Sequence, residues 1–577
     1  MKKLLKYFDG YYKQLILGPS FKLFEAILEL LIPLIMANII DKGIANGDKG
    51  YIISHGALML ALGFVGLCFA ITCQYFAAVC AQGFGRSLRR DLFRHIFSLS
   101  QAQSGKIGTD SLITRLTNDV NQVQTGVNMA IRLATRAPFL AVGSIVMSFT
   151  ISPKIGSIFL ISTPIIVFVL YKIMKISVPF YTQIQKKQDG ISRLVGENLA
   201  GARVVRAFSR EASEIEQFKE SGDELSDATV RVGKISALLN PLTYVIVNLA
   251  IVAIVWFGGV LANSGELQQG QIIALVNYMT QTFLALVVLA NLIVIFTKAV
   301  ASAGRVCEIL EFDSDMDIPA VSKTESENAA SVSFDGVSFA YNKSGDDALT
   351  DIDFALKTGE TLGIIGGTGC GKTTIVNLIL RYYDATKGAV LVNGVNVKDY
   401  TSEDLHAKIG LVPQTAMLFA GTVRSNLMLG APNADDAQLW RALSTAQGKD
   451  FVEKLPQGLD STVEEMGKNL SGGQRQRLTI ARALAKNPQI LVLDDSASAL
   501  DYATDAALRK AIKSDTENMT VIMISQRAST LKDCDKILVL DDGAQVGLGT
   551  HAQLLAKCDV YKEICESQGI AQTEVQA

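Results

Sequence analysis

Six long stretches in the first half of this chain are apolar and poor in charge. Each is long enough to cross about 30 Å of hydrocarbon as a helix. A backbone inside a bilayer must satisfy its own hydrogen bonds, so isolated apolar runs of this length are expected to be helical. The sequence therefore predicts six transmembrane helices, over Leu15–Ile40, Ile52–Val79, Leu133–Ile151, Ile155–Met174, Leu238–Leu261 and Ile272–Phe296.

The composition indicates a membrane domain followed by a soluble one. Of the 577 residues, 49% are hydrophobic and only 19% are charged, which excludes disorder and collagen. The apolar residues crowd into the first half, and the second half has an ordinary soluble composition. The net charge of −2 gives no reason to expect a nucleic-acid partner, and the eight Cys residues form no CxxC pair that would indicate zinc.

The distribution of Lys and Arg predicts the orientation in the membrane. The long loops 84–131 and 179–236 are rich in basic residues, whereas the short loops on the other side hold three Lys and no Arg. Because basic loops stay in the cytoplasm, we predict a multi-pass protein of the plasma or inner membrane with both termini cytoplasmic. Helical periodicity continues through both long loops, and their turns, near Thr109–Arg115 and Ala202–Phe208, are candidates for contact with a soluble domain.

The second half has a different pattern. Residues 312–330 lose apolar periodicity and fill with Asp, Ser, Glu and Ala, which indicates a linker. From Val332 onward, short β-branched runs alternate with helical patterns, as in a mainly parallel sheet flanked by helices. We therefore predict a multi-domain membrane protein, with an all-α six-helix transmembrane domain over 1–311, the linker over 312–330 and an α/β domain over 331–577.

The α/β domain contains a phosphate-binding loop. The segment TLGIIGGTGCGKTT reads as a strand, a Gly-rich turn and a helix start, and matches GxxxxGK followed by Ser or Thr. Glycines let backbone N–H groups close around phosphates, while Lys372 is predicted to meet the β- and γ-phosphates and Thr373 a Mg²⁺ ion. The domain is thus predicted to be a P-loop ATPase that binds ATP and Mg²⁺ through Gly366, Gly367, Thr368, Gly369, Cys370, Gly371, Lys372, Thr373 and Thr374.

Two further motifs lie downstream. An apolar strand over Ile490–Leu493 ends in Asp494, an acid placed to hold Mg²⁺. Before it, NLSGGQRQRL places a Ser-Gly-Gly turn at the start of a basic helix, which predicts a second phosphate cradle. One nucleotide cannot easily use both cradles. The residues predicted for the second one are Ser471, Gly472, Gly473 and Gln474.

Together these motifs resemble those of ATP-binding cassette (ABC) proteins, because LSGGQRQR resembles their signature. Six spans ahead of one cassette resemble a half-transporter of the type I exporter class, as in bacterial lipid and multidrug exporters. The resemblance covers essentially the whole chain. It implies that two cassettes pair head to tail, with each ATP between one chain's phosphate loop and the other's signature. It also implies that Tyr341 stacks on adenine, that Gln414 joins Mg²⁺ to the membrane-domain contact, and that Ser498–Asp501 links the two sites.

Two positions depart from the family pattern. Where the family normally places Glu, the expected general base, this chain has Asp495, and where it places a switch His, this chain has Gln526. A shorter carboxylate is misplaced for catalysis, and a neutral amide cannot carry a proton charge. We therefore expect a degenerate site that binds ATP but hydrolyses it slowly or not at all. A second half-transporter would supply Glu and His, giving a heterodimer like a known subclass of bacterial multidrug exporters.

The transport substrate is less constrained. Glu25 and Glu29 lie one helical turn apart in the first span, where a carboxylate is costly unless it faces a wet cavity or a partner. They could attract cationic amphiphiles, or pair with a polar group on a neighbouring helix. Asn277 and Gln281 add polar points to the sixth span. We expect ATP-driven export of small amphipathic drugs or lipids from among the membrane lipids. An importer or peptide exporter, or an ATP-gated regulatory subunit, is the alternative.

Overall fold

The computed structural model describes residues 2–312, 316–325, 329–342, 345–496, 499–515 and 518–570. Within these ranges, six helical segments are long and apolar enough to cross a membrane, and they coincide with the six predicted spans. The prediction of six transmembrane helices is therefore confirmed. The segments are Tyr12–Ile44, Lys49–Ser98, Thr109–Ile151, Pro153–Ala200, Pro241–Asn263 and Gln269–Leu310.

The chain divides into two compact units. Met1–Ser98 and Gly108–Asp313 form the transmembrane unit, and Leu99–Ile107 and Ser314–Ala577 form the ATPase unit. The turn of the first long loop therefore lies earlier than predicted, because a short helix over Gln101–Ile107 precedes Thr109 and belongs with the ATPase unit. The second turn lies at a short helix over Ala202–Ala207, within the predicted segment.

The transmembrane unit is entirely helical in its described part. A 3₁₀ turn over Lys2–Phe8 precedes the first span, and π-helical turns interrupt the long helices at Ile39–Ile44, Arg115–Asp119 and Ala130–Ala134. The α-helices of the chain up to residue 310 are α1 (Tyr12–Asn38), α2 (Lys49–Ser98), α3 (Gln101–Ile107), α4 (Thr109–Thr114), α5 (Val120–Met129), α6 (Arg136–Ile151), α7 (Pro153–Ala200), α8 (Ala202–Ala207), α9 (Glu211–Ala237), α10 (Leu239–Asn263) and α11 (Gln269–Leu310).

The last of these helices, α11, organises the transmembrane unit. It packs against α1, α5, α6, α7 and α10. Tyr278, in the first third of α11, is fully buried and donates a hydrogen bond of 2.6 Å from its hydroxyl to the carbonyl oxygen of Leu30 in α1. A buried phenol needs such a partner, so this bond fixes the position of α1 against α11.

A buried ion pair joins the C-terminal end of α11 to the π-helical turn before α5. The Asp119 carboxylate is only 1% exposed, and it accepts hydrogen bonds from Nε of Arg305 at 2.8 Å and from the Ser302 hydroxyl at 2.9 Å. The guanidinium also contacts the other carboxylate oxygen. The arginine side chain itself is half exposed. If Asp119 were neutral, the half-exposed Arg305 could be hydrated, whereas the buried Asp119 carboxylate could not be if Arg305 were removed.

We expect Arg305→Ala to destabilise the transmembrane unit more than Asp119→Asn does. Removing the guanidinium strands a buried carboxylate, which costs about 3–5 kcal/mol for a buried pair, whereas Arg305 can hydrate when Asp119 is neutral. Thermal unfolding midpoints of the full-length variants in detergent would measure this, with Lys298→Ala as an exposed control on the same helix. Equal losses for the two variants would contradict the asymmetry.

The ATPase unit contains a ten-stranded sheet in its described part, in the order β5-β4-β1-β2-β12-β11-β3-β10-β9-β6. Neighbours from β11 to β6 run parallel, while β1, β2, β4 and β5 pair antiparallel. The strands are β1 (Val332–Phe339), β2 (Leu349–Leu356), β3 (Thr361–Gly366), β4 (Lys387–Val392), β5 (Val395–Asn396), β6 (Ile409–Val412), the small β7/β8 pair (Gly421–Thr422, Thr462–Val463), β9 (Ile490–Asp494), β10 (Thr520–Ile524), β11 (Lys536–Asp541) and β12 (Ala544–Gly549).

Helices cover this sheet and bury its Val, Ile and Leu residues in three apolar clusters. The prediction of an α/β domain after the six spans is thereby confirmed. The helices are α12 (Lys372–Ile379), α13 (Ser402–Lys408), α14 (Val423–Met428), α15 (Asp436–Thr445), α16 (Lys449–Glu453), α17 (Gly472–Ala485), α18 (Tyr502–Asp515), α19 (Ala528–Leu531), α20 (His551–Lys557) and α21 (Asp559–Ser567), with 3₁₀ turns at Val397–Asp399, Gly458–Asp460 and Glu465–Gly467.

The predicted linker, 312–330, lies partly outside the described residues. Its described part is held on the ATPase unit: Lys323 forms an ion pair of 2.8 Å with Asp399, and Glu325 forms one of 2.6 Å with Lys408. Both ion pairs connect the described part of the predicted linker to residues of the ATPase unit. The domain boundaries at 311 and 331 stay predictions.

Candidate ATP site

Four neighbouring parallel strands bring the predicted site residues to one edge of the sheet. The carboxyl ends of β3, β10, β9 and β6 lie side by side, and the loops that follow them carry the phosphate loop, Gln526, Asp494–Asp495 and Gln414 respectively. In open α/β sheets, ligands bind at this edge, because the loops after parallel strands meet there. Residues more than 150 positions apart in sequence, such as Ile364 and Ile524, thus become neighbours on adjacent strands.

The phosphate loop requires glycine at two of its positions for steric reasons. A Cβ at Gly366 would lie 2.2 Å from the carbonyl oxygen of Leu540 on β11. Gly371 has a φ of +95°, and a Cβ there would lie 2.5 Å from the Leu349 side chain. The sequence motif therefore follows from the close approach of the loop to β11 and β2.

The outer face of the same loop is open. Gly367, Thr368 and Gly369 are exposed, and nothing lies within 4 Å of a Cβ built at Gly367 or Gly369. Lys372, at the start of α12, donates from Nζ to the carbonyl oxygens of Gly366 at 2.9 Å and Gly367 at 2.5 Å. A cation above an open, glycine-lined helix start fits a polyphosphate, as the sequence predicted. Cys370 is buried beneath the loop, with its sulfur 3.6 Å from Lys372 Nζ, and Thr374 is buried beside it.

Asp494 and Thr373 meet across the site. Asp494 ends β9, is buried, and accepts a side-chain hydrogen bond from Thr373. Burial raises the pKa of Asp494, and the neighbouring Asp495 carboxylate adds to this, while Thr373 and Lys372 oppose it. The neighbouring carboxylates of Asp494 and Asp495 and the Thr373 hydroxyl provide oxygen ligands of the kind that a divalent cation prefers. The residues present therefore fit the predicted Mg²⁺.

Asp495 is held by its backbone and by an amide. It has a φ of +47°, uncommon for a residue other than Gly, and its N–H donates to the Ile524 carbonyl oxygen at 3.0 Å. Its carboxylate accepts a side-chain hydrogen bond from Gln414, which is exposed just beyond β6. Burial raises the pKa of Asp495, and Gln414, Lys372 and Arg527 oppose that shift. The acid and the amide that the sequence singled out are thus in contact.

Gln526 is exposed in the loop after β10, and its backbone carbonyl accepts a hydrogen bond of 2.7 Å from the side chain of Gln568. No motif or periodicity in the sequence singles out Gln568. Tyr341 is 48% exposed and packs edge-to-face on Phe339 and Tyr383, while its hydroxyl hydrogen-bonds Thr374 Oγ1 at 3.0 Å. It is therefore tied to the phosphate-loop helix, and its predicted role in stacking on adenine stays a prediction.

The signature lies in a different packing environment. Ser471 caps α17 and exchanges two hydrogen bonds with Gln474, at 2.9 and 3.3 Å, and both Ser471 and Gly472 are exposed. Gly473 is partly buried. The buried side of α17 belongs to another apolar cluster than that of α12. The predicted connecting loop Ser498–Asp501 begins at Ser498, which lies outside the described residues.

In the transmembrane unit, both predicted acidic substrate residues are ion-paired. Lys22 donates to both carboxylate oxygens of Glu25, at 2.6 and 2.7 Å, and Arg136 on α6 donates to Glu29 at 2.7 Å. Glu29 thus pairs with a neighbouring helix, which is the pairing alternative, whereas Glu25 pairs with a residue of its own helix. Asn277 donates to Ile273 of its own helix at 3.1 Å. Gln281 keeps a buried Oε1 without a hydrogen-bond donor among the described residues.

The sequence was compared with known families and proteins. Residues 15–286 match the family model of the ABC transporter transmembrane region, and residues 349–498 match the family model described as ABC transporter. The chain is 37% identical over 556 residues to an uncharacterized ABC transporter ATP-binding protein of Mycobacterium tuberculosis, covering 96% of this chain and 95% of that protein. It is 30% identical over 584 residues to the probable multidrug resistance ABC transporter ATP-binding/permease protein YheI of Bacillus subtilis, covering 100% and 98%.

These matches and the site geometry place the chain among the ABC transporters, with a nucleotide-binding ATPase domain in a multi-pass membrane protein. A solved structure narrows the class. A bacterial Atm1-family ABC exporter with ATP bound superimposes with a TM-score of 0.79 at 25% identity, covering 98% of both chains. The chain is accordingly an ABC half-transporter with the type I exporter fold.

We expect Gly371→Ala to disrupt the ATP site and Gly367→Ala to leave its fold intact. In Gly371→Ala, the alanine must adopt a left-handed backbone and its Cβ clashes with the Leu349 side chain, which together cost about 1–3 kcal/mol. Gly367→Ala only adds a methyl group to open space. Thermal unfolding midpoints and binding of a fluorescent ATP analogue by the full-length variants would report both effects. A Gly371→Ala variant as stable as Gly367→Ala would show that the loop is not constrained in this way.

Proposed function

We propose that this chain is one half of a heterodimeric exporter that uses ATP to move small amphipathic compounds, drugs or lipids, out across a plasma or inner membrane. Both catalytic positions, Asp495 and Gln526, depart from the family pattern in a site whose other groups are in place, and this observation carries the proposal. The excess of basic residues in the long loops supports cytoplasmic termini.

The ATP site on this chain is proposed to bind rather than hydrolyse. Lys372 and the glycine loop would hold the phosphates, Tyr341 the adenine, and Thr373, Gln414 and Asp494 a Mg²⁺ ion, which when bound neutralises phosphate charge. Asp495 is engaged by Gln414 and ends one methylene short of a Glu, so its reach toward an attacking water is reduced. Gln526 can donate a hydrogen bond to a phosphate but cannot carry a proton charge.

We infer a partner because the signature residues lie apart from the phosphate loop of the same chain. Ser471, Gly472, Gly473 and Gln474 sit at the start of α17, whose packing cluster is not that of α12. The exposed cap supports a contact with a nucleotide held by a second half-transporter. That partner would bring Glu and His to its own site, so the assembled pair would have one competent and one degenerate site.

Export of amphipathic compounds is supported by two observations. The relative YheI is described as a probable multidrug resistance transporter, and the first span carries paired charges that an amphiphile with a charged head could exchange with. Glu29 is the more exposed of the two acids, at 33% against 15% for Glu25. We therefore propose Glu29, with Asn277 and Gln281 on α11, as the nearer contacts of a cationic substrate and Glu25 as a weaker one.

The chain isolated from its native membrane should carry a second half-transporter in equal amount. Mass spectrometry after low-detergent purification would identify it, and its sequence should hold Glu and His at the positions of Asp495 and Gln526. Recovery of a stoichiometric homodimer with normal ATP turnover would refute the heterodimer.

Purified alone, the chain should show little ATPase activity, and Asp495→Glu combined with Gln526→His should raise it at least about tenfold. General-base catalysis contributes about 10²–10⁴-fold, so restoring the longer acid and the imidazole recovers part of that factor. Phosphate release from the full-length chain in lipid nanodiscs measures the gain. Lys372→Ala in the same double variant is the control and should return the rate to background.

Glu29→Gln should lower export of a cationic dye more than Glu25→Gln does, with export of a neutral dye unchanged in the Glu29 variant. In Glu29→Gln, the amide lacks the negative charge with which a cationic dye would pair in place of Arg136. Glu25 is less available to a dye, because Lys22 donates hydrogen bonds to both of its carboxylate oxygens. Dye uptake into inside-out vesicles of the native host measures this. Equal export of the cationic dye by Glu29→Gln and the unmodified protein would argue against a substrate contact there.

A further inference from the structure

The side chain of Gln568 bridges two backbone groups of the loop that carries Gln526. We call residues 525–528, between β10 and α19, the switch loop. Gln568 donates from Nε2 to the Gln526 carbonyl oxygen at 2.7 Å and accepts from the Ala528 N–H at Oε1 at 2.8 Å. A carboxamide can donate and accept at once, which neither a carboxylate nor an aliphatic side chain can do.

The switch loop needs this partner because its helix has no cap of its own. Ala528 begins α19, a helix of four residues, and the residue before it, Arg527, makes no side-chain capping bond. The first N–H groups of a helix have no partner within the helix. Gln568, 40 residues further along the chain, supplies the acceptor for one of them. Its second bond then fixes the carbonyl of Gln526 itself.

The position of Gln568 is set by the end of the last helix. Gly569 has a φ of +73°, and the Ile570 N–H donates to the Cys565 carbonyl oxygen at 3.0 Å, which closes α21 in the manner of a Schellman motif. Tyr561 and Cys565 anchor the helix in the apolar cluster that also contains Ala528 and Leu531 of α19. The glutamine therefore extends from a fixed helix end toward the switch loop.

The other side of the switch loop is held as well. The Arg527 guanidinium lies 5.0 Å from the centre of the Tyr502 ring at the start of α18, and the Ser525 N–H donates to the Ile364 carbonyl oxygen on β3 at 3.2 Å. The Gln526 side chain is exposed between these attachments. Its direction is consequently determined by the backbone that Gln568 holds.

We propose that Gln568 is a positioning residue of the ATP site, which holds the switch loop so that the side chain at position 526 faces the γ-phosphate. The proposal rests on the proposed contact of Gln526 with ATP. It makes the end of α21, remote in sequence from every nucleotide-binding motif, a determinant of how the site distinguishes ATP from ADP.

The test uses the full-length chain in lipid nanodiscs with four variants: Gln568→Ala, Gln568→Met, Gln526→Ala and the control Glu563→Ala, an exposed residue on the same helix. Hydrogen exchange over the switch loop should become about 5- to 30-fold faster in both Gln568 variants, since two bonds are lost. The ratio of ATP to ADP affinity should fall about fivefold in both, as in Gln526→Ala. The Met variant keeps the length of the side chain, so it separates the amide from its packing.

The outcomes distinguish this proposal from the one on which it rests. If hydrogen exchange over the switch loop is unchanged in the Gln568 variants, the positioning proposal is overturned. It is also overturned if the ratio of ATP to ADP affinity falls in Gln526→Ala but in neither Gln568 variant. A general loss of stability would weaken ATP and ADP binding together and leave the ratio constant, which also counts against positioning. If hydrogen exchange rises in the Gln568 variants but the ratio of ATP to ADP affinity is unchanged even in Gln526→Ala, Gln568 holds the switch loop as proposed. The proposed contact of Gln526 with ATP is then wrong.

Discussion

The parallel pairing of β3, β10, β9 and β6 is the constraint on which the ATP site depends. Hydrogen bonding in register brings four carboxyl ends to one edge, and each contributes one part of the site from the loop that follows. The Asp495 N–H and the Ser525 N–H both donate to carbonyl oxygens of a neighbouring strand, so two of these loops leave the sheet already fixed. The geometry of the site is therefore a property of the sheet, and the side chains determine what the site does.

How much of this could be predicted depended on whether the signal was local. The six spans and the phosphate loop were predicted because apolar length and glycine spacing are contained in short segments. The partnership of Glu29 with Arg136 spans 107 residues, and that of Gln568 with Gln526 spans 42. No periodicity encodes such pairs, since they form only after helices or strands have packed. The ion pairs of Lys323 and Glu325 are hidden for the same reason, because their partners lie 76 and 83 residues further along the chain.

Charge in the first span illustrates how a membrane protein limits the cost of polar groups. Lys22, Glu25, Glu29 and Arg136 sum to zero, and each makes at least one ion pair. A lone carboxylate in hydrocarbon would be costly, but a balanced set of four is far less so. This balance leaves no net negative charge to attract cations from a distance. A cationic substrate must therefore displace Lys22 or Arg136 from the carboxylate with which it is paired. This requirement would favour substrates with a particular cationic head group over cations in general.

Asp495 and Gln526, the two positions that we propose to be degenerate, occur within an intact framework, and that combination favours a binding role over a decayed enzyme. Gln414 still contacts Asp495, Thr373 still contacts Asp494, and Gln568 still holds the loop of Gln526. A site that no longer mattered would have no need of a capped switch loop or a glycine forced to a φ of +95°. Strained and fully hydrogen-bonded geometry persists where something depends on it. Under the proposed heterodimer, this chain would keep a nucleotide in place while its exposed signature acts on the nucleotide of the partner, so the two halves would contribute different steps to one cycle.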